Sequence, residues 1–475
     1  MPNESDLPSR PPRRRLPLRY VLGVAAALFA APVLVWLTWG WIEAARLNRT
    51  LDALDARHEP LDPTEFEARP TTEEQRQASH LYAQAGRLSD ERPIMPQQAA
   101  ALAHTIEMLC APDADPLARS AQSRLLLDFE QNYAPALDLL ERASQLDAKG
   151  WADGDRPQRH SIQEMRPLML VRANVVRIAR LACTGDGDGA ARALLATLRL
   201  RHVWSGIIGP IAMQTSHGLQ SLLTNSTPSP ALLQRIQTEY VTAADENVFS
   251  TWMLRERALW LSFTMPGVFS DLEGGSASRR MTPLEAVARR LVRPLRDQRL
   301  VEELDEFDAA MAVAKQPWPA KLDAVAEFGK TRQAQRSPSQ RPGIIEGLTR
   351  PLGAHMAANA LTGYINVMTE TLARNRISAA AIAVARYRRD HTGACPETLQ
   401  QLGAAYLPAP SIDPYSGTEL KYRYDASGYR VYSVGANRKD DGGVWEQHSD
   451  LQLSRRGNPL DIGIEVRSIP ARKAN

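Results

Sequence analysis

The longest uninterrupted apolar run in the chain extends from Tyr20 to Ile42 and contains no charged residue. As an α-helix, this run is roughly 35 Å long, at about 1.5 Å per residue, and the hydrocarbon core of a bilayer is about 30 Å thick. The pattern therefore predicts a transmembrane helix at residues 18–42. Pro32 lies inside it, but proline is tolerated in membrane-spanning helices.

The residues on the two sides of the run predict its orientation. A Pro- and Arg-rich tail, residues 1–17, precedes it, and the positive-inside rule keeps such a tail in the cytoplasm. Trp36, Trp39 and Trp41 lie at the far end, where indole rings suit the headgroup region. A cleaved signal peptide is the alternative, but its apolar core is usually only about 7–15 residues long. We therefore expect a cell inner-membrane protein with a cytoplasmic N-terminus and a periplasmic remainder.

Beyond the membrane segment, apolar positions recur at steps of three and four residues, which predicts helices. We divide this part into a juxtamembrane linker, 43–70, and a helical domain, 71–331. The linker begins with a helical continuation at Ala44–His58, which has no strong core face. Leu168–Cys183 and Ala190–Trp204 flank a Gly-rich turn and predict an antiparallel hairpin whose second helix is capped by Asp188. Such hairpins in series indicate a solenoid or an irregular bundle, although no fixed repeat length is present.

The pattern changes beyond a linker, 332–345, which is rich in Gly, Ser, Pro and Gln. In the last segment, 346–475, a long helix is predicted from Met356 to Asp390. Short runs with the alternating pattern of strands follow it, at Leu420–Tyr424, Tyr429–Val434 and Asp461–Val466. We therefore expect a mainly α fold that ends in a small α+β domain, with a long helix on a short antiparallel sheet.

Composition narrows the class of protein. With 475 residues, 44% hydrophobic and 23% charged, the chain has a globular composition. The net charge is only +3 and the arginines are scattered, which argues against a nucleic-acid partner. Cys110, Cys183 and Cys395 lie far apart without a metal-binding or redox spacing, and any two of them could form a disulfide in an oxidising compartment.

A series of short motifs follows in the C-terminal segment. They are YRRDH at Tyr387–His391, CPETL at Cys395–Leu399, Asp413-Pro414, YRVYSVG at Tyr429–Gly435, DDGG at Asp440–Gly443 and Asp461-Ile462. In order and spacing the series resembles the globular domain of the major pseudopilins of type II secretion. The resemblance implies a bound calcium ion, because the acidic Gly-rich loop of that family holds one. The matching positions, which offer the hard oxygen ligands that calcium prefers, are Asn437, Asp440, Asp441 and Asp461.

The chain departs from the pseudopilin pattern at its membrane helix. That helix lacks the junction motif of the family, and the helical domain separates it from the resembling module. Processing by a prepilin peptidase and assembly into a pilus-like fibre are therefore not implied.

The sequence signatures of common enzyme classes, such as HExxH, GxSxG and the phosphate-binding loop, are absent. The acidic run 302–308 surrounds an apolar stripe, which we interpret as a solvated helix face and not as paired catalytic carboxylates. His202 lies in a helical pattern, where a packed or surface role is expected.

We therefore expect a single-pass, membrane-anchored extracytoplasmic protein that binds or scaffolds envelope or secretion proteins, with a link to type II secretion or pilus-like machinery. The alternatives are an envelope-acting enzyme with a site in the helical domain and a purely structural tether.

Overall fold

The computed structural model describes residues 18–66, 69–90, 116–152, 167–204, 208–245, 247–264, 283–335, 356–408, 411–443 and 461–467. The helices are α1 (Leu18–Ala56), α2 (Glu73–Asp90), α3 (Pro116–Ser144), α4 (Pro167–Cys183), α5 (Gly187–Arg199), α6 (Ile208–Asn225), α7 (Pro230–Ala243), α8 (Val248–Thr264), α9 (Pro283–Ala314), α10 (Ala320–Gln335), α11 (Met356–Asp390) and α12 (Gly403–Tyr406). Short 3₁₀ turns lie at Pro63–Phe66, Leu200–His202 and Leu399–Leu402. The strands are β1 (Lys421–Asp425), β2 (Gly428–Ser433) and β3 (Ile462–Arg467). The predicted mainly α fold is confirmed.

Helix α1 is continuous over 39 residues and changes character along its length. Large apolar side chains between Leu28 and Ile42 are exposed, whereas Leu47 and Leu54 are buried against α9. The helical continuation predicted at Ala44–His58 is present to Ala56, but the prediction that it lacks a core face is wrong, because Leu47 and Leu54, seven positions apart, are buried on one side of the helix. In the described ranges no helix is long and apolar enough to cross a membrane. The helix predicted at 18–42 forms the first part of α1, and its membrane insertion stays a prediction.

The predicted hairpin is formed by α4 and α5, and it is antiparallel, since Asn174 donates to Ala193 O and to Thr197 Oγ1. Gly185, with φ +86°, ends α4. The predicted capping residue is wrong, because Asp186 and not Asp188 caps α5. Asp186 accepts a hydrogen bond from Gly189 N at 2.8 Å, so the helix begins at Gly187, earlier than expected.

The other acidic residue of that turn has a different role. Asp188, the predicted cap, accepts a bond from Ser229 N at 2.6 Å and so holds the turn against the start of α7. The turn therefore uses one carboxylate to begin a helix and the other to fix a neighbouring helix.

Helix α11 has the predicted bounds, Met356–Asp390, and lies at the centre of the molecule. Its N-terminal half contributes Leu361 and Ile365 to a core with α1, α8 and α9. Its C-terminal half contributes Ile377 and Val384 to a second core with α4 to α7 and the sheet. Because α11 contacts α6 to α10, the helices form an irregular bundle and not a solenoid, in which only neighbouring repeats touch.

The segments on the two sides of the predicted linker are packed together. Residues of the helical domain and of the C-terminal segment share one apolar core. Residues 332–335 of the linker are the end of α10, and its remainder lies outside the described residues, as do the tail 1–17 and Cys110. Cys183 and Cys395 do not form a disulfide with each other.

The sheet has the order β1-β2-β3 and is antiparallel throughout. Each strand lies within one residue of its predicted position, and Asp425 pairs with Gly428 to close the β1–β2 hairpin. On the face towards α11, Tyr429 pairs with Val466, and its hydroxyl donates to Ala381 O at 2.9 Å. Tyr432 points to the opposite face, as strand alternation requires, and reaches the loop that follows β2.

Candidate functional site

The loop 434–443, here named the acidic loop, follows the central strand β2. Gly435, Gly442 and Gly443 have φ values of +64°, +83° and +77°, a backbone region that glycine enters without strain. At Gly443 a side chain would also approach the Tyr432 ring to 3.2 Å. The glycines therefore let the loop fold back on the end of β2.

Asp413 fixes the start of the acidic loop. Its buried carboxylate accepts hydrogen bonds from Ser433 Oγ at 2.8 Å, Val434 N at 3.0 Å and Tyr415 N at 3.0 Å. In the sequence, Asp413-Pro414 stands out only as one of the C-terminal motifs. The carboxylate role has no local signal, since two of its partners lie about twenty positions further along the chain.

Asp461 fixes the end of the acidic loop. This buried residue precedes β3 and accepts bonds from Gly443 N at 2.7 Å and Asp441 N at 3.3 Å. Burial raises the pKa of Asp461, and the nearby carboxylates of Asp441 and Asp440 raise it further. The two amide hydrogen bonds lower the pKa of Asp461, but they do not offset burial, which is the largest cause of the shift.

The remaining predicted ligands lie on the same loop. Asn437 Nδ2 donates to Asp441 Oδ2 at 2.7 Å, and Asp440 Oδ1 accepts from Gly442 N at 2.9 Å and Tyr432 OH at 3.1 Å. Burial raises the pKa of Asp440, but these two hydrogen bonds and nearby positive charge outweigh it, and the net pKa is lowered. The structure thus brings the four predicted residues together, although their side chains are bonded mainly to the loop itself.

Two residues that the sequence analysis did not connect with the loop also line it. Arg423 on β1 has its guanidinium 3.9 Å from Asp440, and Tyr432 on β2 donates to the same carboxylate. Among the described residues, no group of three or more His, Cys, Asp or Glu side chains is arranged as a metal site. The donors present are all hard oxygens, the chemistry that calcium prefers, but calcium needs about six to eight of them.

The acidic loop also touches the helical domain. Arg438 forms an ion pair with Asp323 of α10 at 2.9 Å. Outside the loop, the turn before β1 also approaches α10, since a side chain at Gly417 would meet Pro319, just before α10, at 2.7 Å. The acidic loop is therefore linked to α10 by a surface ion pair, while Asp440 and Asp441 are exposed.

The acidic run on α9 is not the uniformly solvated face that the sequence predicts. Asp305 is exposed and pairs with Arg46 of α1, and Asp308 is half-buried and pairs with Arg57, directly after α1. In contrast, Glu303 is buried, as is Glu306 one turn further on. The interpretation of 302–308 as a solvated helix face is therefore wrong for Glu303 and Glu306. The side of α9 that packs inward includes these two residues as well as the apolar stripe.

Two further charged clusters join segments that lie apart in the sequence. Arg257 of α8 is fully buried and bonds Glu59 at 2.6 Å. Glu239 of α7 accepts bonds from Arg199 at 2.9 Å and Arg201 at 2.6 Å and lies 3.2 Å from His202.

The charge state of Glu239 bears on the enzyme alternative. Burial raises the pKa of Glu239, but the His202 contact and the two arginines outweigh it and lower the pKa to about 2. This carboxylate is therefore ionised at neutral pH, paired with two arginines, and does not carry the proton that a general acid needs.

Comparisons with known proteins add no relative: no protein-family model, curated protein or solved structure matches this chain. The resemblance to pseudopilins therefore depends on the motifs alone.

Proposed function

We propose that this chain is a single-pass inner-membrane protein whose periplasmic part binds or scaffolds envelope or secretion proteins. The observation that carries the anchor is the exposed apolar surface on the first half of α1. Its large apolar side chains, 51–75% exposed, are Leu28, Val33, Leu34, Val35, Leu37, Trp41 and Ile42. Contiguous apolar surface of this kind is uncommon on proteins that meet only water, and it continues a charge-free sequence.

The anchor is tested by extracting membranes that contain the full chain with alkaline carbonate. The wild type is expected to remain in the membrane pellet. A variant with V33R and L37R is expected to move to the supernatant, because arginine near the centre of a spanning helix is costly. Tyr424→Arg, at an exposed position on β1, is the control and should stay in the pellet.

Extraction of the wild-type chain would contradict the anchor. A mature product that begins near residue 43 would instead favour the signal-peptide alternative. Protease treatment of spheroplasts checks orientation, since a C-terminal tag should be removed without lysis if the remainder is periplasmic.

The link to type II secretion has its support in the order of the C-terminal motifs and in a long helix packed on a small antiparallel sheet. Affinity purification of the full chain from detergent-solubilised membranes should recover secretion or envelope proteins. Tyr424→Arg tests whether the exposed edge of β1 takes part. Recovery of no such protein from cells that express an active secretion system would contradict the scaffold role.

Calcium at the acidic loop is the finer part of the proposal. Asp440, Asp441 and Asp461 place three carboxylates near Asn437, and carboxylate oxygens that accept amide hydrogens keep further lone pairs. Backbone carbonyls and water would complete the coordination.

The melting temperature of the full chain is therefore expected to rise with millimolar calcium relative to a chelator. The D440N/D441N variant should lose this rise, whereas D425N, in the hairpin turn, should keep it. An unchanged melting temperature in the wild type would remove calcium from the proposal and leave the scaffold role intact.

A further inference from the structure

The first half of α9 lies level with the end of the apolar run of α1. A side chain at Gly40 would be 3.1 Å from Pro294 Cγ, and Arg46 and Arg57 pair with Asp305 and Asp308 further along. The positions increase together, so the two helices are parallel. Arg290, four positions before Pro294, lies about 6 Å further back along α1, at about 1.5 Å per residue, and so close to the level of Trp36.

This half of α9 is strongly basic. Residues 289–299 contain arginines at 289, 290, 293, 296 and 299 and a single acidic residue, Asp297. Asp297 is buried and is shared by Arg293 at 3.3 Å and Arg296 at 2.8 Å, so one negative charge faces two guanidinium groups. The local charge is therefore positive even after these ion pairs are counted.

The basic side chains are accessible. The Arg293 side chain is 62% exposed, Arg290 is also exposed, and Leu291 between them is an exposed large apolar residue. Because α9 runs parallel to α1, it stands upright beside the proposed anchor, and its exposed guanidinium groups at the level of the tryptophans are placed to bond lipid phosphates.

We propose that this basic segment, residues 290–299, binds the phosphates of anionic phospholipids in the membrane that holds α1. The proposal rests on the proposed membrane anchor, because only the anchor brings the segment to the headgroup level. Trp36 and Trp39 of α1, whose rings meet edge to face at 5.3 Å, mark that level, as tryptophans do at membrane interfaces. The segment then acts as a second contact that fixes the tilt of the periplasmic body.

The test uses the full chain in nanodiscs of phosphatidylcholine with or without phosphatidylglycerol, with hydrogen exchange of the 284–299 amides as the measurement. In the wild type, phosphatidylglycerol should slow exchange by about threefold or more, and high salt should reverse this because it screens the charges. R290Q/R293Q should abolish the difference, and R290K/R293K should retain part of it.

R76Q/R142Q is the matched control, because both arginines are exposed, on α2 and α3. Like the tested variant, it removes one arginine that pairs with a carboxylate of its own helix: Arg76 pairs with Glu73, as Arg293 pairs with Asp297. It should behave as the wild type does.

Three results would overturn the proposal, and they separate it from the anchor. Equal exchange in both lipids, with the chain incorporated in the nanodisc, refutes the lipid contact and leaves the anchor standing. Lipid-dependent protection that survives in R290Q/R293Q assigns it to another surface. Failure of the full chain to enter nanodiscs refutes the anchor and the lipid contact together.

Discussion

Replacing Asp413 tests whether one carboxylate holds the acidic loop to the sheet. Asp413 is 1% exposed and accepts three hydrogen bonds, from the backbone amides of Tyr415 and Val434 and from the Ser433 hydroxyl. Bonds to a charged group contribute about 1.5–3 kcal/mol each, which gives about 4.5–9 kcal/mol for the three bonds. Because alanine also removes the cost of burying the carboxylate, we expect D413A to lose about 4 kcal/mol.

The assay is hydrogen exchange of the full chain, with β2 peptides as the readout, since local opening governs their exchange. A loss of about 4 kcal/mol corresponds to exchange about a thousandfold faster, at about 1.4 kcal/mol per decade. The exchange rate in D413N should lie between those of the wild type and D413A. Asparagine keeps one accepting oxygen, but its NH₂ group cannot accept a hydrogen bond from the remaining donors. D425A removes an exposed hairpin carboxylate and should change exchange only a few-fold. A D413A effect no larger than that of D425A would refute the reasoning.

Three further predictions concern single contacts. R257A leaves Glu59 without its fully buried partner and should lower the free energy of unfolding, measured by urea denaturation, by about 3–5 kcal/mol. The double variant R257M/E59Q, which removes both charges, should recover much of that loss. The pKa of Glu239 is depressed to about 2, so its ion pairs stabilise the fold above about pH 4.5 and are lost as the pH falls towards 2. In E239Q the melting temperature should therefore fall less steeply between these pH values than in the wild type. An equally steep fall would contradict this role of Glu239. Gly428 has φ at +147°, and a Cβ there would clash with the Val466 carbonyl oxygen of β3. G428A should therefore force β2 and β3 apart and speed the exchange of their amides. The neighbouring variant S427A is the control and should leave this exchange unchanged.

The sequence predicted the elements well where the local pattern is strong. The bounds of α11 and the three strands follow from alternating or helical apolar spacing and from turn residues such as Asp425 and Gly428. The four loop residues could also be grouped, because three of them lie within five positions of one another and the fourth directly precedes β3.

The sequence could not predict which surfaces meet. Arg257 and Glu59 are 198 positions apart, and neither has a local signal of burial. Glu303 and Glu306 have the composition of a solvated face, and only the packing of α9 makes them interior residues. The cap at Asp186 instead of Asp188 shows the same limit on a small scale, since both residues precede glycine and tertiary contact with Ser229 decides between them.

Helix α11 has a mechanical consequence. It is 35 residues long, about 50 Å, and connects the core around the sheet with the core around α1 and α9. A force applied at the sheet by a binding partner is therefore carried along one stiff rod to the helix pair at the opposite end. Because α11 is continuous from one core to the other, a displacement of the sheet is expected to be transmitted to the packing of α1 and α9.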